Sequence, residues 1–223
     1  MKERGQYDIT SASFEAFVTF LFDHKVIPSP TVPEQEAEPW YWHSDVIFDP
    51  VRVTDYYIRL FTNPTEPLAR FDDETLEQAF WAIQDCNLDC AVSTVIWDDE
   101  VPFQSRADCV RSMYHLFDRL FFSKALETSV QMWWDSLAYA WHCGNRSRDK
   151  GGEDQLMQDV MFETLERILF LESEVCQGAA LHGLGHLHHP KTEETIRRFL
   201  TARPAIRKEL REYALAAARF EVM

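Results

Sequence analysis

The sequence predicts an all-α protein, on three observations. Apolar residues recur at helical spacing in segment after segment beyond residue 50, and no segment alternates apolar and polar residues between turn signals. Glycine is scarce: the 223 residues include seven, with none between Gly5 and Gly144. That gap removes Asn-Gly and Asp-Gly hairpins and glycine-rich phosphate loops from most of the chain. A composition 46% hydrophobic and 13% aromatic, with seven tryptophans, excludes a disordered polymer.

The elements follow in order. Residues 11–25 place Phe14, Phe17, Val18, Leu21 and Phe22 on one helical stripe. Residues 28–50 are too proline-rich for a helix and read as an ordered loop, with seven of the ten prolines between Pro28 and Pro67. The aromatic run Trp40-Tyr41-Trp42 inside it argues that the loop is pinned to the body or to a partner. Helices are then expected over 51–62, 73–85, 87–97, 104–123, 126–143, 153–171, 174–188, 192–202 and 204–220. Asp72 suits an N-cap, with Asp73 and Glu74 complementing the helix dipole. Pro204 suits a first helical position, where its missing N–H costs nothing. Gly151-Gly152, after the polar run NRSRDK, marks the sharpest break in the second half.

Charge is the feature that departs from an ordinary domain. The formal net charge is −15, which excludes general affinity for nucleic-acid backbone or anionic membrane and leaves a basic protein as the expected partner. Residues 1–100 hold six basic against twenty acidic residues, and residues 101–223 hold sixteen against seventeen. Nearly all the excess therefore sits in the first hundred residues. Glu34, Glu36, Glu38 and Asp45 flank Trp40, Tyr41 and Trp42, and Asp98-Asp99-Glu100 forms a second acidic cluster. Aromatic anchors among carboxylates are a hot-spot composition for gripping a cationic surface.

Searches for chemistry return little. Asp98-Asp99-Glu100 lacks the glycine and ligand spacing of an EF-hand loop. No Gly-x-Ser-x-Gly is present, and GLGHLH at 183–188 lacks the third glycine of a dinucleotide loop. His182 and His186 are four apart, as in helical zinc sites, but Gly183 stands where His-Glu-x-x-His needs its base. A metal reading therefore requires an acidic residue from elsewhere, and no cofactor or metal is expected. The five cysteines, Cys86, Cys90, Cys109, Cys143 and Cys176, are odd in number and lack framework spacing, so free thiols in a reducing cytoplasm are expected. Glu15 interrupts the only apolar run of signal-peptide character near the N-terminus, and no stretch approaches the roughly 18 apolar residues of a membrane span.

The C-terminal third carries the most specific pattern. Ala179, Ala180, Leu184, Gly185 and Leu187, then Pro190, then Pro204, Arg207, Tyr213, Ala214 and Ala217, resemble the paired helices of the HEAT/armadillo repeat family over about 156–220. An extra residue separates Pro204 from Arg207, and the upstream pairs carry large aromatics instead of the small-residue signature. The resemblance implies an irregular α-solenoid with a concave binding surface, and implies no reaction. On that reading 1–223 is a single helical domain, with an acidic helix and proline-rich loop over 1–70 and a helical-repeat body over 71–223. His182 and His186 would face solvent on the inner surface as partner contacts. The expected function is non-enzymatic: binding and neutralising a basic protein, such as a toxin or nuclease-like effector, in the manner of an immunity protein or antitoxin. A scaffold or adaptor, and after it a metal-dependent hydrolase using the histidines, are the alternatives.

Overall fold

Ser13, Asp49, Asp72 and Ser173 each start a helix by accepting a hydrogen bond from the backbone N–H three residues on. The computed structural model describes residues 5–27, 38–124, 126 and 128–222. Among them run eleven helices: α1 (Phe14–Phe22), α2 (Pro50–Thr62), α3 (Thr65–Leu68), α4 (Asp73–Gln84), α5 (Val92–Val95), α6 (Phe103–Leu116), α7 (Asp135–His142), α8 (Gly152–Leu169), α9 (Glu174–Leu187), α10 (Thr192–Ala202) and α11 (Lys208–Ala217). The protein is mostly helical, as expected.

Four local expectations are corrected. Two short strands exist: β1 (Gly5–Asp8) and β2 (Ser44–Ile47) pair in parallel, Gly5 opposite Ser44 and Asp8 opposite Ile47. Four residues are too few to display an alternation. Of 87–97 only α5 is helical, because Asp85 turns the chain by accepting from the Asn87 backbone N–H and the Tyr57 hydroxyl holds the Cys90 carbonyl. Of 126–143 only α7 is helical. The chain before it is tied at Thr128 and Ser129 to Glu77 of α4. Finally, α11 begins at Lys208, and Pro204 lies in the turn ahead of it. The helix expected over 104–123 is present but changes pitch. Beyond Leu116 it widens into one π turn, with the Phe122 N–H bonding the Phe117 carbonyl at 2.8 Å.

One apolar cluster runs from Ile9 to Val222. At its centre the fully buried Trp133 meets Phe61, Phe80, Phe117 and Phe121 edge-on, at 5.6–6.5 Å between ring centroids. Helix α2 packs on α6, α6 on α8 and α8 on α10, while α7 packs on α9 and α9 on α11.

Helix α9 is the most enclosed. Every residue from Ala179 to Leu187 is buried. Its glycines permit this: a Cβ on Gly183 would stand 2.7 Å from Trp134 and from Leu165, and one on Gly185 would stand 2.4 Å from Val222 of the C-terminal tail.

Candidate functional site

The acidic surface is built on β2. Of its three aromatics, Trp40 and Tyr41 are structural. The Trp40 ring stacks on His24 at 3.6 Å and meets Tyr7 and Phe20 edge-on, and Tyr41 is buried. Trp42 is the exposed one, at 45%, its indole N–H directed at Asp85 Oδ2 at 3.4 Å. The turn after α4 runs alongside β2, where Asp89 accepts the Val46 backbone N–H at 2.8 Å. Asp85 thus lies against Trp42, and Asp89 against β2, the strand that carries Asp45. Sequence reasoning missed both, because they lie some forty residues beyond the loop they border. Glu38 sits 2.7 Å from His43 Nε2. Glu34 and Glu36 lie outside the described residues.

The second acidic cluster follows α5. Asp98 is used locally, accepting the Glu100 backbone N–H, while Asp99 and Glu100 are exposed. They follow Trp97, which packs against Trp141 and beneath the Arg146 guanidinium. In the C-terminal part, carboxylates are matched internally: Arg106 with Glu153, Arg146 with Asp154, Arg148 with Asp159 and Arg203 with Glu172.

The expectation for the two histidines is overturned. His182 and His186 do not face solvent: they are 1% and 3% exposed. A helical wheel assigns one core face to a helix, but α9 is covered on all sides by α7, α8, α11 and the tail. Buried imidazoles need partners, and α7 supplies them. Asp135 at its first turn presents Oδ1 to His182 Nε2 at 2.6 Å and to His186 Nε2 at 3.2 Å. Behind the imidazoles, the Tyr213 hydroxyl of α11 lies 2.5 Å from His182 Nδ1, and His142 Nδ1 lies 3.4 Å from His186 Nδ1.

Burial disfavours the Asp135 carboxylate, but hydrogen bonds from both histidines outweigh it and hold its carboxyl well below the usual range. Burial, reinforced by the Asp135 charge, pushes the Tyr213 phenol up to about 12. An ionised Asp135 only accepts, so each Nε2 donates to it, and the Nδ1 of a neutral ring then accepts, from Tyr213 on one side and His142 on the other. The five side chains form one satisfied network. Its solvent edge is Asp135, one-third exposed, and the exposed ring of Tyr139 stacked on His142.

No family model, curated protein or solved structure matches the chain. The five cysteines are free: Cys86 and Cys143 are exposed, and Cys90, Cys109 and Cys176 are buried. Burial pushes the Cys90 thiol up to about 12 and raises those of Cys109 and Cys176, so these three are apolar packing groups rather than nucleophiles. No helix among the described residues is long and apolar enough to cross a membrane.

Proposed function

We propose that the protein is a non-enzymatic binding module whose acidic N-terminal face receives a basic protein and neutralises it, as an immunity protein neutralises a cationic toxin or nuclease. The observation that carries this reading is the exposed Trp42 with its indole N–H on Asp85, next in chain to β2, whose Val46 amide is held by Asp89. A large amphipathic ring beside a carboxylate offers apolar contact area where a cationic surface is drawn in, and the field of a chain with net charge −15 speeds the encounter. The scaffold behind it is read as an irregular HEAT/armadillo-like α-solenoid. Support comes from the packing of helices two apart, α6–α8–α10 in one row and α7–α9–α11 in the other. His182 and His186, being buried, take no part in the contact.

Native capture on the full chain at low and at high salt, with mass-spectrometric identification of what is bound, tests the reading. The expected result is one basic protein in stoichiometric amount at low salt. It should be released at high salt and lost in Trp42→Ala and in Asp85→Asn with Asp89→Asn. Capture that ignores salt or these substitutions, or no capture, refutes it.

A further inference from the structure

We propose that Asp135 Oδ1, His182 Nε2 and His186 Nε2 form a binding site for a divalent transition-metal ion of zinc's chemistry. This inference is independent of the acidic face and stands or falls separately from the proposed function.

The donor set is the first argument. The three ligand atoms lie within 4.8 Å of one another. Two imidazoles and one carboxylate suit a borderline-soft cation, whereas calcium and magnesium require oxygen-dominated shells. Ion-to-ligand bonds of about 2.0–2.2 Å in a tetrahedral shell place neighbouring ligand atoms about 3.3 Å apart. The His186–Asp135 separation of 3.2 Å already meets that spacing, and the His182–Asp135 separation of 2.6 Å needs to open by less than 1 Å. Three protein ligands leave a fourth position for water, on the side where Asp135 reaches solvent.

The outer partners are the second argument. Metal-bound imidazoles direct the other ring nitrogen at a hydrogen-bonding group that fixes ring and tautomer. Both histidines have one: Tyr213 Oη for His182 and His142 Nδ1 for His186. Ion binding replaces the two Nε2 protons that face Asp135. Each histidine remains neutral by carrying its proton on Nδ1 instead, donated to Tyr213 and to a His142 that now accepts. The exchange needs only hydroxyl rotation and tautomer change, with no net charge altered on any imidazole.

The carboxylate arrives from another helix. Between two histidines at this spacing, helical zinc sites of the His-Glu-x-x-His type carry a glutamate that serves as base, and their third ligand comes from elsewhere in the chain. Here the position is Gly183, against which Trp134 packs so closely that a Cβ would stand 2.7 Å away. The missing side chain lets the start of α7 close onto α9, and Asp135, the next residue after Trp134, delivers its carboxylate to both rings.

The test uses the full chain, stripped by a chelator and titrated with Co2+, read by its visible ligand-field absorption and by metal quantification, with Zn2+ as competitor. One Co2+ per chain, tetrahedral bands and displacement by Zn2+ are expected. His186→Ala abolishes uptake, while His188→Ala, which removes an exposed neighbouring imidazole, leaves it unchanged. Tyr213→Phe removes a single hydroxyl and weakens binding about 10–100-fold. Far-UV dichroism checks each variant, and where His186→Ala does not fold, Tyr213→Phe decides. No stoichiometric uptake by the wild type, uptake unaffected by either His186→Ala or Tyr213→Phe, or uptake lost equally in His188→Ala overturns the proposal.

Discussion

Replacing Glu77 by alanine should loosen the join between α4 and the segment leading to α7. The half-buried Glu77 carboxylate accepts from the backbone N–H groups of Thr128 at 3.0 Å and Ser129 at 2.9 Å, from both their hydroxyls, and from the Trp81 indole at 3.0 Å. Thr128 is exposed and can turn to water once the carboxylate is gone. Ser129 is fully buried and cannot. Each buried donor left unpaired costs about 1–3 kcal/mol, so the Ser129 amide and hydroxyl together set a loss of about 2–6 kcal/mol for Glu77→Ala. At about 2–4 °C per kcal/mol for a chain of this size, Tm falls by about 4–24 °C. Glu77→Gln keeps an acceptor for the amides and loses only charge assistance, about 1 kcal/mol.

A pH series separates charge from shape. Burial opposes ionisation of Glu77, but hydrogen bonds from Ser129 and Thr128 outweigh it, so its folded pKa lies below the ordinary glutamate range. A carboxylate with a depressed folded pKa stabilises fully above its unfolded pKa and loses that contribution as pH falls through the folded value. The stability gap between wild type and Glu77→Gln, measured by urea denaturation, is therefore constant above about pH 5 and narrows below pH 4.5. A Glu77→Ala variant within ~0.5 kcal/mol of wild type, or a Gln gap that ignores acid, would refute the reasoning.

Two further predictions concern packing. Gly183→Ala forces a Cβ against Trp134 and Leu165 and should cost about 1–3 kcal/mol. Gly178→Ala on the same helix meets nothing within 4 Å and should be neutral or stabilising by up to ~1 kcal/mol; equal effects in thermal melts would contradict the close approach at 183. A thiol reagent should label Cys86 and Cys143 in the native protein and reach Cys90, Cys109 and Cys176 only on unfolding; rapid native labelling of more than two thiols would show the core is not closed as described.

The helices that end on strong local signals were legible in the sequence: Asp72 caps α4, and Thr192 opens α10 where the polar run begins. The elements that failed to follow the pattern are those held by partners far along the chain. The sequence of 126–134 has enough apolar spacing for a helix, but Glu77 takes the amides and hydroxyls of Thr128 and Ser129. Nothing within those residues records that pairing. The strands failed for another reason: GQYD and SDVI are held by each other and by Asp89, which no local propensity reports.

The misplacement of His182 and His186 is different, because the sequence did contain the signal. From Val175 to Leu187 there is no charged residue at all, and a helix without charge on any face is enclosed on every face. A one-sided wheel assumes a solvent side that such a helix does not have. Granting full burial, the two imidazoles required polar partners, and the narrow choice was which carboxylate reached them. That choice was hidden, because Asp135 lies 47 residues away from His182 inside a segment whose pattern reads as the middle of a continuous helix. In the structure it stands at the first turn of α7. There its neighbour Trp134 is seated against Gly183, and its carboxylate turns inward to the histidines. The glycine that rules out the familiar motif in the sequence is thus the residue against which the segment bearing Asp135 closes in the fold.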